Sequence, residues 1–162
     1  MAETTNRITV TRTTVPAMTL VALRGTVPTY FDEPLLWQRM TPALVAQGVT
    51  AAGPWGVIEH EDGYTERDVD LSIFMHVAPG TRVEAPLEIL ELPERDCLVA
   101  RVLGSHKQIS KAHDLINDRR AADGLSLRGD GTLASKAFNL YLTTPDQVSE
   151  DELVTEVYEP LA

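Results

Sequence analysis

One cysteine among 162 residues rules out an internal disulfide and with it a disulfide-stapled scaffold. That residue, Cys97, lies between Asp96 and Leu98 in a strand-like run that gives no sign of an activated thiolate, and reads as a buried structural side chain. Basic side chains are also scarce: 14 against 24 acidic ones leave a formal charge of −10, which disfavours the phosphate contacts that dominate nucleic-acid affinity. Direct binding of nucleic acid is not expected, whereas the same field would concentrate a cationic ligand. No apolar run approaches the roughly 18–20 residues that cross a bilayer, and the stretch from Met1 to Arg7 is polar, without the apolar core of a signal peptide. No membrane association is expected, and the expected address is the cytoplasm. The four histidines (60, 76, 106 and 113) show no metal-ligand spacing; His106 and His113 stand seven residues apart, about two helical turns. No phosphate-binding loop, dinucleotide glycine fingerprint or nucleophile elbow occurs, so neither a metal nor a cofactor is expected.

What is present is a pattern that occurs twice. Pro16, Gly25, Gly48 and Pro79 recur in order as Pro93, Gly104, Gly124 and Pro160, at offsets of 77, 79, 76 and 81. Around both sets of markers the order is strand, helix, strand, strand. This predicts one domain over residues 1–162 made of two half-repeats, approximately 7–79 and 86–161. A seam between half-domains is a favoured place for a small-molecule pocket. With 43% hydrophobic residues the chain can bury a substantial core.

In the first half, β-branched Ile8 to Thr11 reads as a strand, paired with Met18 to Leu23 across the Val15-Pro16 bend. Asp32 can cap a helix whose first turn holds Pro34; Leu36, Met40 and Leu44 form its buried stripe, Gly48 ends it, and Pro42 should kink or split it. Trp55 to Glu59 reads as a strand, residues 60–67 as a charged turn around Gly63, and Asp70 to Val77 as an alternating strand. One face of that strand carries Asp70, Ser72, Phe74 and His76, a polar-aromatic mixture that either meets water or lines a pocket.

In the second half, strands are predicted near Leu87 to Leu92 and Cys97 to Leu103. Ser105 and Gln108 suggest a capping box for a helix with Ile109, Ala112 and Ile116 buried and Gly124 as a left-handed stop. Residues 125–136 read as a loop. In the closing strands Asn139 and Tyr141 share one face of Phe138 to Leu142, and Glu156 and Tyr158 share one face of Leu153 to Glu159.

With these residues in view, the approach Leu92-Pro93 to Gly104, the run Tyr141-Leu142-Thr143-Thr144-Pro145 and the closing Thr155-Glu156-Val157-Tyr158-Glu159-Pro160, set in two strand-helix-strand-strand halves, resemble the GyrI-like family of small-molecule binding domains over nearly the whole chain. The resemblance implies an α+β fold of two tandem SH2-like βαββ repeats with pseudo-two-fold symmetry: a curved antiparallel sheet with two helices around a hydrophobic groove. Members of the family serve as effector-binding domains of AraC- and MerR-type multidrug transcription regulators, as stand-alone drug-sequestering proteins or gyrase inhibitors, and in some branches as hydrolases of cyclopropane-bearing genotoxins. Ligands there are aromatic, often cationic, and held by stacked rings over a buried carboxylate.

The resemblance implies a ligand site made of Trp37, Trp55, Phe74, His76, Asn139, Tyr141, Glu156 and Tyr158. Many relatives carry a glutamate two residues before the tyrosine of the penultimate strand, where this chain has Asn139. Glu156 would take over the missing carboxylate if its strand brings it to Asn139 and Tyr141; the alternative is an exposed sheet residue or a partner of Arg24 or Arg101. Trp55 reads either as a stacking wall or as plain core. The leading expectation is a stand-alone sensor or sequestering protein for an aromatic or lipophilic small molecule, without its own DNA-binding head, because the first repeat starts close to Met1. A hydrolase using Glu156 as general base with Tyr141 or Tyr158 as proton donor is the rival. A protein-binding module, such as a gyrase-directed factor, is the third reading.

Overall fold

The computed structural model describes residues 7–61 and 64–162. Gly63, the centre of the charged turn expected over 60–67, lies outside the described residues. In chain order the elements are β1 (Ile8–Val15), β2 (Met18–Val27), α1 (Pro34–Ala46), β3 (Trp55–Glu59), β4 (Val69–His76), β5 (Glu88–Leu92), β6 (Arg95–Leu103), α2 (Ile109–Asp123), β7 (Phe138–Tyr141) and β8 (Val154–Pro160). The pattern of two strands, a helix and two strands thus occurs twice, in a mixed α+β fold whose strand pairs are antiparallel.

The chain forms two compact units. One is the continuous segment Ala17–Pro93; the other joins residues 7–16 to Glu94–Ala162. In the continuous unit the strands run β5-β2-β4-β3, and in the discontinuous one β1-β6-β8-β7. Each is therefore a four-stranded antiparallel sheet whose outer member on one side comes from the opening strand of the other half-repeat.

This corrects the hairpin expected across Val15-Pro16: β1 pairs with β6, Ile8 opposite Val102 and Val15 opposite Arg95, rather than with β2. Tight hairpin turns favour positive φ, which proline at 16 cannot adopt, so the Pro16-Ala17 connection carries the chain onward instead of folding it back. Apolar burial favours the same outcome. Ile8 and Val10 pack against the cluster of Leu98, Ala100, Val102, Ala112, Ile116, Val157 and Leu161, which fixes the face of the sheet that α2 covers. Truncating Ile116, fully buried at its centre, should cost about 2–5 kcal/mol.

In the continuous unit Leu36, Met40 and Leu44 are the buried residues of α1, as their spacing predicts. The helix approaches β2 closely because Gly25 has no side chain there: a Cβ would lie 2.7 Å from Leu36 Cδ2. Asp32 does not cap α1, whose N-cap position is Glu33 without a side-chain cap bond; the side-chain cap is that of Thr29 on the preceding 3-10 turn. The Thr29 side chain accepts from the Phe31 amide at 3.2 Å, while Asp32 accepts in return from the Thr29 amide at 2.9 Å, both around the short 3-10 turn Tyr30–Asp32 that leads into the helix. Pro42 does not split α1. The carbonyl it deprives of a partner is that of Gln38, and both residues are exposed, so water can bond it.

At the start of α2 the expected box is only half formed. Ser105 Oγ accepts from the Lys107 amide at 3.1 Å, but Gln108 Nε2 donates to the Leu103 carbonyl at 3.0 Å, passing beneath Gly104. Gly124 closes the helix at φ 65, the left-handed stop that was expected.

Candidate functional site

Register decides which side chains meet. On the paired strands β7 and β8, Phe138 lies opposite Tyr158, Asn139 opposite Val157, Leu140 opposite Glu156 and Tyr141 opposite Thr155. Directly opposed residues share a face. Asn139, Tyr141, Thr155 and Val157 therefore occupy the face that α2 covers, and Phe138, Leu140, Glu156 and Tyr158 the other. This overturns the approach of Glu156 to Asn139 and Tyr141: each pair sits together as alternation predicts, but the two pairs lie on opposite sides of the sheet.

The α2 side holds a compact polar-aromatic cluster. Asn139 is 4% exposed and Thr155 fully buried, and Asn139 Oδ1 and Thr155 Oγ1 have no hydrogen-bond partner among the described residues. His106, in the 3-10 turn before α2, places its ring 5.5 Å from that of Tyr141, tilted by 41°. Its Nε2 is a third buried atom without a partner among the described residues. Burial holds the His106 pKa below the usual histidine value, against an opposing pull from Glu150, so the ring is kept neutral. Three orphaned polar atoms around one half-buried tyrosine ring are unusual, because buried polar groups are nearly always paired. The sequence pattern tests His106 only as a metal ligand, and on the last strand it singles out Glu156 and Tyr158 rather than Thr155. Only the pairing of Thr155 with Tyr141 and the return of the turn before α2 bring both to Tyr141, which shares its strand face with Asn139.

On the opposite face Tyr158 and Glu156 are engaged with their neighbours. Phe138 and Tyr158 stack with centroids 4.5 Å apart and planes 5° from parallel, and the Arg95 guanidinium lies 4.5 Å above the Phe138 ring. The Tyr158 hydroxyl donates to Glu156 Oε1 at 2.7 Å, and Arg101 Nη1 donates to Glu156 Oε2 at 3.2 Å. Burial, then the Glu156 carboxylate, pushes the Tyr158 pKa well above the ordinary phenol value. Both carboxylate oxygens are thus engaged. Cys97, on the same face, is fully buried, and burial pushes its thiol up to about 11.

The remaining predicted residues belong to the continuous unit. Trp37 on α1 and Trp55 on β3 meet edge to face at 4.8 Å, and Trp37 Nε1 donates to Glu33 Oε2 at 2.8 Å. Phe74 is fully buried, and His76 sits 5.9 Å from it on the same strand face. The Nδ1–H of His76 donates to the Pro54 carbonyl at 2.8 Å, and its Cβ lies where a Cβ on Gly53 would approach to 2.9 Å. Among the described residues no group of three or more His, Cys, Asp or Glu side chains gathers as a metal site, and no helix is long and apolar enough to cross a membrane.

The family of GyrI-like small molecule binding domains matches residues 9–162. The chain belongs to the GyrI-like family. No curated protein matches it in sequence. Among solved structures the GyrI-like chain is similar to the C-terminal domain of EcmrR, at 15% identity with 96% of this chain and 98% of that one covered and a TM-score of 0.84. It is also similar to a hydrolase from Listeria innocua, at 12% identity, covering 94% and 91% with a TM-score of 0.71. SAV2435, solved bound to tetraphenylphosphonium, is similar at 16% identity, covering 95% and 94% with a TM-score of 0.62. At these identities the likeness shows the fold. Family membership makes this a small-molecule binding domain.

Proposed function

We propose that this GyrI-like domain binds an aromatic or lipophilic small molecule against the α2-covered face of β7 and β8, acting as a sensor or sequestering protein. The observation that carries the reading is the Tyr141–His106 ring pair beside the orphaned atoms of Asn139 and Thr155. It offers an aromatic surface for stacking and polar atoms that gain a partner only when something binds. The tetraphenylphosphonium bound to SAV2435 supports a lipophilic, aromatic ligand class, and the Trp37–Trp55 pair is a second aromatic surface available for it. A panel of lipophilic dyes and planar aromatics, cationic and neutral, titrated by fluorescence, should give saturable binding that weakens at least tenfold in Tyr141→Ala. Absence of saturable binding across the panel by folded protein refutes the reading.

The fold likeness to a hydrolase gives the rival reading its support. Against it, Glu156 is the carboxylate assigned the role of general base, and both its oxygens already accept from Tyr158 and Arg101. Mass spectrometry of cyclopropane-bearing genotoxins incubated with the protein distinguishes the two; turnover lost in Glu156→Gln would restore the hydrolase.

A further inference from the structure

The cluster on the α2 side has a chemical character of its own. Its polar members are an amide, a hydroxyl and an imidazole, with no carboxylate among them. The acidic residues that share this face of β6 and β8 are already engaged: Glu159 Oε2 lies 2.9 Å from His113 Nδ1, and Asp96 Oδ2 lies 2.7 Å from Arg12 Nη2. Glu150, the one acidic group that acts on His106, belongs to the exposed 3-10 turn Glu150–Glu152 and stays hydrated.

A permanent cation seated against Tyr141 would lose its hydration and find no buried counter-charge, and attraction to a single ring face makes up only part of that loss. It would also leave Asn139 Oδ1 and Thr155 Oγ1 as they stand, since a quaternary cation has no N–H or O–H to give them. A neutral ring system with a donor at its edge reverses each of these terms. It stacks on Tyr141, loses little hydration, and supplies the hydrogen that the buried acceptors lack. A carbonyl elsewhere on its rim could accept in turn from the threonine hydroxyl.

We propose that Asn139, Thr155, His106 and Tyr141 form a subsite for a neutral planar aromatic molecule bearing an N–H or O–H donor, in preference to a permanent cation. The proposal rests on the small-molecule reading above and names the ligand class for it.

The test uses three probes of one shape, titrated against the full chain by fluorescence: acridone, which has the donor; 10-methylacridone, which lacks it; and 10-methylacridinium, a permanent cation. Acridone should bind tightest, with 10-methylacridone at least about tenfold weaker and 10-methylacridinium no tighter than 10-methylacridone. Thr155→Val and Asn139→Leu should each bring acridone down towards 10-methylacridone while moving the latter less than twofold. Should Asn139→Leu fail to fold, Thr155→Val alone decides, because it keeps the side chain's shape. Cation binding as tight as acridone binding overturns the proposal, as do lack of saturable acridone binding and an unchanged acridone to 10-methylacridone ratio in the folded variants. Equal binding of all three probes overturns the donor preference and leaves the small-molecule reading standing; silence from these probes and from the whole dye panel removes both.

Discussion

Replacing Thr155 by valine should make the protein more stable. The exchange swaps one hydroxyl for one methyl at nearly constant shape, and both residues are β-branched and suited to a strand. Thr155 is fully buried on the strand between β6 and β7, opposite Val102 on one side and Tyr141 on the other, and its Oγ1 has no partner among the described residues. A buried, unsatisfied polar group carries a desolvation penalty of about 1–3 kcal/mol, and an added buried methyl contributes up to about 0.8 kcal/mol more. Allowing for imperfect fit, a gain of about 1–2 kcal/mol is expected. For a chain of this size that raises Tm by roughly 2–8 °C. The assay is urea unfolding followed by circular dichroism, with the midpoint rising at constant slope, beside a thermal scan. Thr9→Val, at an exposed position on β1, is the control and should stay within about 0.5 kcal/mol of the parent. A loss of about 1 kcal/mol or more in Thr155→Val, with the control unchanged, would show that the hydroxyl is bonded in solution and would remove it from the orphaned cluster.

Gly53→Ala should destabilise the continuous unit by about 1–3 kcal/mol, because its Cβ would meet His76 Cβ at 2.9 Å; an unchanged urea midpoint would contradict that packing. Cys97 should resist a disulfide reagent in the folded protein from pH 7 to 9, with no rise in rate across the range where an ordinary thiol ionises, and react at once in urea; fast native labelling would contradict its burial and its thiol near 11. For His106 the folded pKa lies below the unfolded value of 6.5, so between these two the unfolded chain binds more protons and stability falls as pH is lowered through that window. His106→Asn should lack this component of the slope, and parallel pH profiles for the two proteins would refute the assignment.

Local features were legible in the chain. Trp55 and Glu59 bound a strand as expected, Leu36, Met40 and Leu44 face inward, and Gly124 stops its helix. Pairing was not. Alternation shows that Asn139 keeps company with Tyr141, and Glu156 with Tyr158, but which pair shares a side with which depends on a register set beyond the strands by the loop between them, and a slip of one residue would reverse it. The swap of β1 for β5 was hidden for a related reason: in sequence each strand sits beside the partner it does not take. His106 carries no local mark at all, since a histidine at a helix start resembles any other until the turn is seen to return to β7.

The separation of β1 from its partner also has a bearing on the order of events during synthesis. A ribosome releasing this chain exposes Ala17–Pro93 as one continuous stretch, able to close its four strands and α1 before β6 exists. Meanwhile β1, a threonine-rich ribbon with β-branched residues at seven of its eight positions, must wait for β6 with its hydrogen-bonding edge unmet. That waiting interval is the most exposed point in the life of the nascent protein. Slowing translation between β1 and β6 should raise aggregation of the nascent chain, whereas slowing it after β6 should have little effect.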